Sequence, residues 1–258
     1  MVLTIDIGNS NIILGVYQDE RLLFVSRVRT SLRKTESEYA VLLKDILLLH
    51  GVQCQALRGG IISSVVPPLT PVLRAAVTIV HEIPVMMVGP GLRTGLNIRI
   101  DNPGQLGADL VATAVGAVEK YPAPILILDL RTATKITVVD RNRSFRGGSI
   151  MPGVMIALDA LTRNAAQLPD ISLEGDVKLV GTNTVDCMRS GVVLGAASML
   201  DGMIDRYQQE LGEFSTIVAC GGMMKLILPY CRHAIQMDDS LLLDGLYAIY
   251  RRNAPEDT

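Results

Sequence analysis

Two short segments of this chain, half its length apart, share one pattern: an apolar strand that ends in an aspartate, a polar turn and a second apolar strand. The first covers residues 1–13, with Asp6 at the strand end and a Gly-Asn-Ser-Asn turn at 8–11. The second covers residues 125–138, with Asp129 at the strand end. The two aspartates lie 123 residues apart in a chain of 258. This repeat predicts a duplicated α/β unit with a cleft between two lobes.

The chemistry of the first turn favours a phosphate site. Gly8 allows a bound group to approach the backbone, and successive turn amides can form a concave anion site. Asp6 beside it cannot bind phosphate but can hold a hydrated Mg²⁺ that does. An aspartate before a Gly-Asn turn is also ordinary hairpin chemistry, and two buried strands can resemble each other by chance. The pattern by itself leaves both interpretations open.

Strands and helices alternate after each hairpin, which predicts partly parallel sheets. In the first lobe, residues 1–115, we expect strands at 2–7, 11–18, 21–28, 59–66 and 84–88, and helices after the Thr35 N-cap, from Thr70 and over 105–120. A capping box with Glu38 supports the first of these helices. In the second lobe, residues 116–258, we expect strands near 124–130, 134–140, 144–150, 215–219 and 233–236, and helices near 153–164, 184–211 and 240–252. The last six residues are expected to form a loose tail.

Composition excludes several classes of function. Lys and Arg number 24 against 26 Asp and Glu, a formal charge of −2, so no basic excess exists to bind nucleic acid. No apolar run reaches the roughly 18 residues that a membrane span needs. Four scattered cysteines without Cys-x-x-Cys spacing, and no recognisable secretory signal, predict reduced thiols in a cytoplasmic protein. The three histidines stand alone and are not expected to bind metal or to act in catalysis.

Further motifs along the chain resemble those of the type III pantothenate kinases, in the acetate and sugar kinase, Hsp70 and actin superfamily. The resemblance covers nearly the whole chain and is specific in its order and spacing. Besides the two hairpins it includes Asp-Asn-Pro at 101–103, Gly-Ala-Asp at 107–109, Gly-Gly at 147–148, Pro-Gly at 152–153, Leu-Pro at 168–169, Gly-Thr-Asn-Thr at 181–184, Gly191, Gly-Gly at 221–222 and Asp-Gly-Leu at 244–246. It implies a two-lobed, duplicated ribonuclease H-like (actin-like ATPase) fold with mixed sheets and an interlobe cleft.

The resemblance also implies an activity and residue roles. The family transfers the γ-phosphoryl group of ATP to pantothenate, giving 4'-phosphopantothenate in the first step of coenzyme A synthesis, and is usually a homodimer. Asp109 matches the general base and Asp129 the ligand of an activating K⁺ or NH₄⁺. The ATP–phosphate contacts correspond to Asp6, Ile7, Gly8, Asn9, Ser10, Asn11, Ile12, Ile13 and Thr132, with Mg²⁺ held by Asp6 through water. The pantothenate contacts correspond to Ile100, Gly107, Ala108, Leu110 and Thr184.

Three positions depart from the family pattern within these motifs. Leu110 stands where the family has an arginine, so an ion pair with substrate or phosphate is lost. Ile100 stands where a tyrosine is usual and lacks its hydroxyl. Arg131 replaces the glycine of the usual Asp-x-Gly-Thr. A side chain there is costly or blocking if the position needs positive φ or close phosphate approach; alternatively its guanidinium, with Lys135, supplies charge near the phosphates.

The leading hypothesis is an ATP-dependent pantothenate kinase with Asp109 as general base. One alternative is a catalytically impaired family member that senses a ligand or binds a partner, which the changes at Leu110 and Arg131 would permit. Another is a kinase for a different small hydroxylated acceptor, which the change at Ile100 would permit.

Overall fold

The computed structural model describes residues 1–255, and two compact units divide this part of the chain. The strands are β1 (Val2–Ile7), β2 (Asn11–Gln18), β3 (Arg21–Arg29), β4 (Gly59–Ser64), β5 (Val85–Met87), β6 (Asn97–Ile98), β7 (Ile125–Leu130), β8 (Ala133–Val139), β9 (Ser144–Pro152), β10 (Thr216–Cys220) and β11 (Gln236–Met237). The α-helices are α1 (Glu36–Leu49), α2 (Thr70–Val80), α3 (Ala108–Lys120), α4 (Val154–Asn164), α5 (Thr184–Leu211), α6 (Met224–Ile227) and α7 (Leu241–Asn253).

The two units repeat one sheet topology. The first sheet has the order β3-β2-β1-β4-β5, with β1, β2 and β3 antiparallel and β4 and β5 parallel to β1. The second has the order β11-β10-β7-β8-β9-β6, in which β7, β8 and β9 repeat the antiparallel set and β10 and β11 the parallel one. Asp6 and Asp129 each occupy the fifth position of the central strand of their sheet. The duplication predicted from the hairpins is therefore present in the topology.

Each central strand is paired on both edges, and both of its faces are buried in the core of its unit. All six residues of β7 are buried, as are the last five of β1, and both strands are almost continuously aliphatic. Strand β3, at a sheet edge, instead alternates between more and less exposed positions. The separate apolar cores of the two units form around these strands. Each core thereby fixes the place where its central strand ends in a carboxylate.

The boundary between the units differs from the predicted halves 1–115 and 116–258. Among the described residues, the first unit consists of Met1–Asn97, Asp101–Lys120 and residues 240–255; the second consists of Ile98–Ile100 and Tyr121–Asp239. Helix α7 belongs with the first unit because it packs on α3, β1 and β4. A Cβ at Gly116 of α3 would lie 1.9 Å from the Leu241 carbonyl oxygen, and one at Gly245 of α7 would lie 1.8 Å from that of Ala112. The two helices touch backbone to backbone, which a half-length division of the sequence could not anticipate.

Most predicted elements are confirmed within a few residues. The capping box of α1 forms as predicted, since Thr35 accepts from the Glu38 amide and the Glu38 side chain accepts from the Thr35 amide. The helix expected over 105–120 begins only at Ala108, after a 3₁₀ turn at Pro103–Gln105. Strand β6 was missed because two residues carry no periodicity. The predicted tail was partly wrong: Asn253 still belongs to α7 and exchanges hydrogen bonds with Arg93, while residues 256–258 lie outside the described residues.

Candidate active site

The first hairpin is held by Thr30, the residue that follows the neighbouring edge strand β3. The Gly8 amide donates to the Asn11 carbonyl at 3.0 Å, which closes the turn, and the Thr30 hydroxyl donates to the Gly8 carbonyl at 2.6 Å. The Thr30 amide donates to the Ser10 carbonyl at 3.1 Å. A Cβ at Gly8 would lie 2.8 Å from the Asn11 oxygen, so the turn itself requires a glycine there. Residues 9–11 are exposed at its tip.

Asp6 is a buried carboxylate with a hydroxyl partner. Its side chain is 3 % exposed, and the Ser63 hydroxyl donates to its Oδ1 at 2.5 Å. Ser63 lies directly across from Asp6 in the parallel pairing of β1 and β4. Sequence reasoning missed Ser63, although the prediction of a strand over 59–66 beside β1 could have pointed to it. The contact fixes the direction of the Asp6 carboxylate at the end of its strand.

Asp109 lies in the first turn of α3 and is 9 % exposed. Its Oδ1 accepts from the Leu110 amide at 2.8 Å, and the Thr113 hydroxyl donates to its backbone carbonyl at 2.8 Å. A Cβ at Gly107 would lie 2.6 Å from Oδ1, so the carboxylate needs the space that this glycine leaves. The amino end of a helix also stabilises a negative charge. The Leu110 amide and the space left by Gly107 therefore hold the carboxylate in one orientation.

A short chain of contacts connects Gly107 to the first hairpin. The Val65 amide donates to the carbonyl of Ile7 at 3.0 Å, just after β4 ends. The Val65 Cγ1 lies 3.8 Å from the place that a Cβ on Gly107 would occupy. The start of α3 therefore lies near the carboxyl ends of β1 and β4. Within the first unit, the structure brings the Gly107–Asp109 motif to the same edge of the sheet as the phosphate hairpin.

Two cationic side chains contact the aspartate of the second hairpin. Asp129 is 2 % exposed; Arg131 Nε lies 3.0 Å from its Oδ1, and Lys135 Nζ lies 3.1 Å from its Oδ2. The Arg131 and Lys135 side chains are themselves only 19 % and 13 % exposed. Lys135 lies opposite Asp129 in the β7–β8 register, so the pairing follows from strand geometry. This carboxylate is neutralised from both sides.

These cations do not fit a monovalent metal ion at Asp129, which the family resemblance implied. Two unit charges about 4 Å apart near a protein surface repel by about 4 kcal/mol, and K⁺ at this carboxylate would lie close to both side-chain cations. The guanidinium cannot relieve the repulsion by losing its proton. The residues present at Asp129 therefore occupy the place that such an ion needs.

Arg131 adopts an ordinary backbone conformation. Within residues 1–255, the non-glycine residues with positive φ are Asp19 and Arg143. The idea that the position demands glycine for its φ is wrong for this chain. The Arg131 amide donates to the Ala133 carbonyl at 3.1 Å across the turn, and its Nη2 lies 3.9 Å from the Cys220 sulfur. The guanidinium that the second alternative invokes lies at Asp129 in this hairpin.

On the neighbouring strand β10, a thiol lies across from Asp129. Cys220 pairs with Asp129 in the parallel β7–β10 register, as Ser63 does with Asp6 in the first unit. Burial raises the pKa of the Cys220 thiol well above its usual range, and the Asp129 charge raises it further. A buried thiol of this kind stays protonated at neutral pH and is chemically inert. The two hairpins thus differ in what faces the aspartate.

The other predicted residues of the second unit lie on separate elements. Ile100 follows β6, and its Cγ2 lies 3.7 Å from the place of a Cβ on Gly147 in β9. Thr184 is the exposed first residue of α5. The N-cap of this helix is Asn183, whose side chain accepts from the Asp186 amide at 2.9 Å. Thr132 lies in the turn beside Arg131.

Metal clusters and membrane helices do not feature in the described part of the chain. Within residues 1–255, no group of three or more His, Cys, Asp or Glu side chains could hold a metal ion. Over the same residues, no helix has both the length and the apolar character needed to cross a membrane.

Comparison with known proteins agrees with these motifs. The family model described as type III pantothenate kinase matches residues 2–206. A type III pantothenate kinase of Halalkalibacterium halodurans is 40 % identical over 253 residues, covering 98 % of this chain and 100 % of the relative. A type III pantothenate kinase of an Exiguobacterium species is 39 % identical over 253 residues, covering 98 % and 99 % of the two chains.

A solved structure shows the same fold at low sequence identity. The (R)-2-hydroxyglutaryl-CoA dehydratase component A of Acidaminococcus fermentans matches with a TM-score of 0.57 at 14 % identity, covering 96 % of each chain. Likeness at this identity concerns the fold alone. Together with the two mixed sheets, it confirms the predicted α/β fold class of the actin-like ATPases.

Proposed function

Since this chain belongs to the type III pantothenate kinase family, we propose that it transfers the γ-phosphoryl group of ATP to the primary hydroxyl of pantothenate. The product is 4'-phosphopantothenate, the first intermediate of coenzyme A synthesis. The observation that carries the proposal is the carboxylate of Asp109, buried at the start of α3 and fixed in one orientation beside Gly107. Phosphoryl transfer asks little of a protein beyond such positioning and charge neutralisation.

Asp109 is the general base in this proposal. As the substrate oxygen attacks the γ-phosphorus, the new O–P bond forms, the bond from phosphorus to the β–γ bridging oxygen breaks, and ADP leaves. The hydroxyl proton passes to the Asp109 carboxylate. The 2.8 Å hydrogen bond from the Leu110 amide engages Oδ1. This anchors one carboxylate oxygen and supports a directed role for the group.

The first hairpin binds the phosphates of ATP. The turn of residues 8–11 supplies backbone amides, and Ile7, Ile12 and Ile13 are the strand residues that frame it. Asp6, oriented by Ser63, would hold Mg²⁺ through water. Mg²⁺ neutralises charge on the phosphates as it does in other kinases. In the second unit, Thr132 is the proposed ATP contact.

The pantothenate contacts fall to residues around the base and in the second unit. Gly107 and Ala108 offer backbone beside Asp109, and Leu110, half-buried, offers an apolar wall in place of an ionic contact. Ile100 and the Thr184 hydroxyl are the remaining proposed contacts. Leu110 and Ile100 are each less polar than the residue that the family pattern has at that position.

ADP release by the purified protein, with ATP, Mg²⁺ and pantothenate, tests the proposal. We expect pantothenate-dependent turnover that falls by about 10²- to 10⁴-fold in Asp109→Asn, the usual worth of a positioned base. Asp45→Asn, an exposed aspartate of α1, is the matched control and should keep full activity. A folded Asp109→Asn that turns over normally would remove Asp109 from the base role. A folded wild type that binds nucleotide without pantothenate-dependent turnover would favour a binding role or another acceptor.

A homodimer in the cytoplasm completes the proposal. Large apolar side chains are exposed along residues 150–185 of the second unit, namely Ile150, Met155, Ile156, Leu161, Leu179, Val180 and Val185. Exposed apolar surface of this kind is typical of an interface, here with a second copy of the chain. The four free cysteines suit a reducing compartment. Sedimentation equilibrium would contradict the dimer if the protein remained a monomer at every concentration.

A further inference from the structure

The second hairpin has two cationic side chains at its aspartate, a feature that the proposed activity does not explain. Its aspartate lies near the end of a central strand, as Asp6 does in the first unit. Asp129 is flanked by the guanidinium of Arg131 and the ammonium of Lys135, one at each carboxylate oxygen. Two cationic side chains of the chain itself therefore lie at this aspartate.

We infer that this chain supplies its own cations at the second hairpin, so that nucleotide binding and phosphoryl transfer are independent of K⁺ and NH₄⁺. Arg131 Nε and Lys135 Nζ lie 3.0 and 3.1 Å from the two oxygens of Asp129, one on each. An inorganic cation would have to displace one of them or lie beside both. The inference rests on the proposed function only where it concerns turnover.

The built-in cations have properties that a diffusible ion lacks. The Arg131 side chain is anchored through a turn of ordinary backbone geometry, and Lys135 through its register position opposite Asp129. Both side chains are more than four-fifths buried, so salt in solution screens them little. The positive charge at this hairpin is thus present in the absence of any added ion. An anionic nucleotide would meet the same electrostatic environment in sodium, potassium or tetramethylammonium buffer.

The experiment compares cation dependence in the wild type and in a variant without the two charges. ADP binding is measured by isothermal titration calorimetry, and turnover by ADP release. Both are measured in tetramethylammonium chloride and then with K⁺ or NH₄⁺ replacing it at constant ionic strength. The variant is Arg131→Gly combined with Lys135→Thr; the single substitutions apportion the effect. Arg146→Ala, which removes an exposed partner of Asp140 in the same unit, is the matched control.

The wild type and the Arg146→Ala control should change by less than about twofold when K⁺ or NH₄⁺ is added. The double variant should bind ADP weakly without these ions and gain about tenfold in affinity with them, a typical coupling between two bound ligands. Its melting temperature should rise with K⁺ more than that of the wild type. Should the double variant not fold, Arg131→Gln, which keeps the size of the side chain, takes its place with the same expected direction.

Two results would overturn the inference: strong activation of the wild type by K⁺ or NH₄⁺, or a folded double variant as indifferent to these ions as the wild type. Calorimetry separates this failure from that of the proposed function. A wild type that binds ADP equally in all buffers but never phosphorylates pantothenate would keep the built-in cations and refute the activity. A folded wild type that binds no nucleotide would overturn both.

Discussion

The contact between α3 and α7 allows a stability prediction of known sign. Alanine at Gly116 would place its Cβ 1.9 Å from the Leu241 carbonyl oxygen, with the Gly245 amide nitrogen 3.0 Å away. A carbon and a carbonyl oxygen normally lie about 3.3 Å apart or more, so the helices must separate by roughly 1.4 Å. Neither obstacle is a side chain that could rotate away. The packing of the whole helix pair must change.

The expected cost follows from two opposing terms. Overpacking a core costs about 1–3 kcal/mol, and the upper end applies because backbone meets backbone. Alanine regains about 1 kcal/mol over glycine through helix propensity. Gly116→Ala should therefore lower the free energy of unfolding by about 2 kcal/mol, and the melting temperature by about 4–8 °C for a chain of this size. Gly245→Ala presses on the same contact, so the two losses should not add.

Gly195→Ala is the control with the opposite sign. Gly195 lies inside α5, and a Cβ there would meet no described atom within 4 Å. Helix propensity then acts alone, and the melting temperature should rise by about 2–4 °C. Thermal and urea unfolding followed by circular dichroism give both values. A Gly116→Ala protein as stable as the wild type would refute the backbone contact as the reason for this glycine.

Two further predictions concern the base and the first helix. Gly107→Ala places a Cβ 2.6 Å from the Asp109 Oδ1, so the carboxylate must move. Turnover should fall by about 100-fold, the cost of a misplaced catalytic group. An unchanged rate with an unchanged melting temperature would show that this glycine does not position the carboxylate. Thr35→Ala removes the hydroxyl half of the α1 capping box. The free energy of unfolding should fall by about 1 kcal/mol. An unchanged free energy in denaturant unfolding would mean that water replaces the cap.

The sequence predicted the fold well where local chemistry decides it. The strand ends at Asp6 and Asp129 and the capping box at Thr35 each follow from residues within a few positions of one another. The return of α7 to the first unit could not be predicted, because it depends on Gly116 and Gly245, far apart in sequence. Their close approach leaves no periodic mark. Local sequence patterns predict where helices and strands lie, whereas contacts between helices depend on the tertiary structure.

The candidate site divides in the same way. The family resemblance pointed to Asp109, but the hydrogen bond from Leu110 and the space left by Gly107 are visible only in the structure. Ser63 was missed, because its importance comes only from facing Asp6 across two parallel strands. At Asp129 the resemblance implied an inorganic ion, whereas the contacts of Arg131 and Lys135 with this carboxylate are visible only in the structure. Family patterns describe what a position usually does; the neighbours in this chain decide what it does here.

The return of α7 also sets the order in which the protein can mature during synthesis. The strands of the first unit leave the ribosome more than a hundred residues before α7, which covers β1, β4 and α3. The start of α7 at Leu241 lies 154 residues after the end of β5 at Met87. At about 5–20 residues per second, that delay lasts roughly 8–30 s, longer than most small domains need to fold. The second unit is nearly continuous in sequence, so all of it is synthesised before α7. The first unit, although translated first, therefore completes its packing last. Until α7 is synthesised, the surface of α3, β1 and β4 that α7 covers stays uncovered.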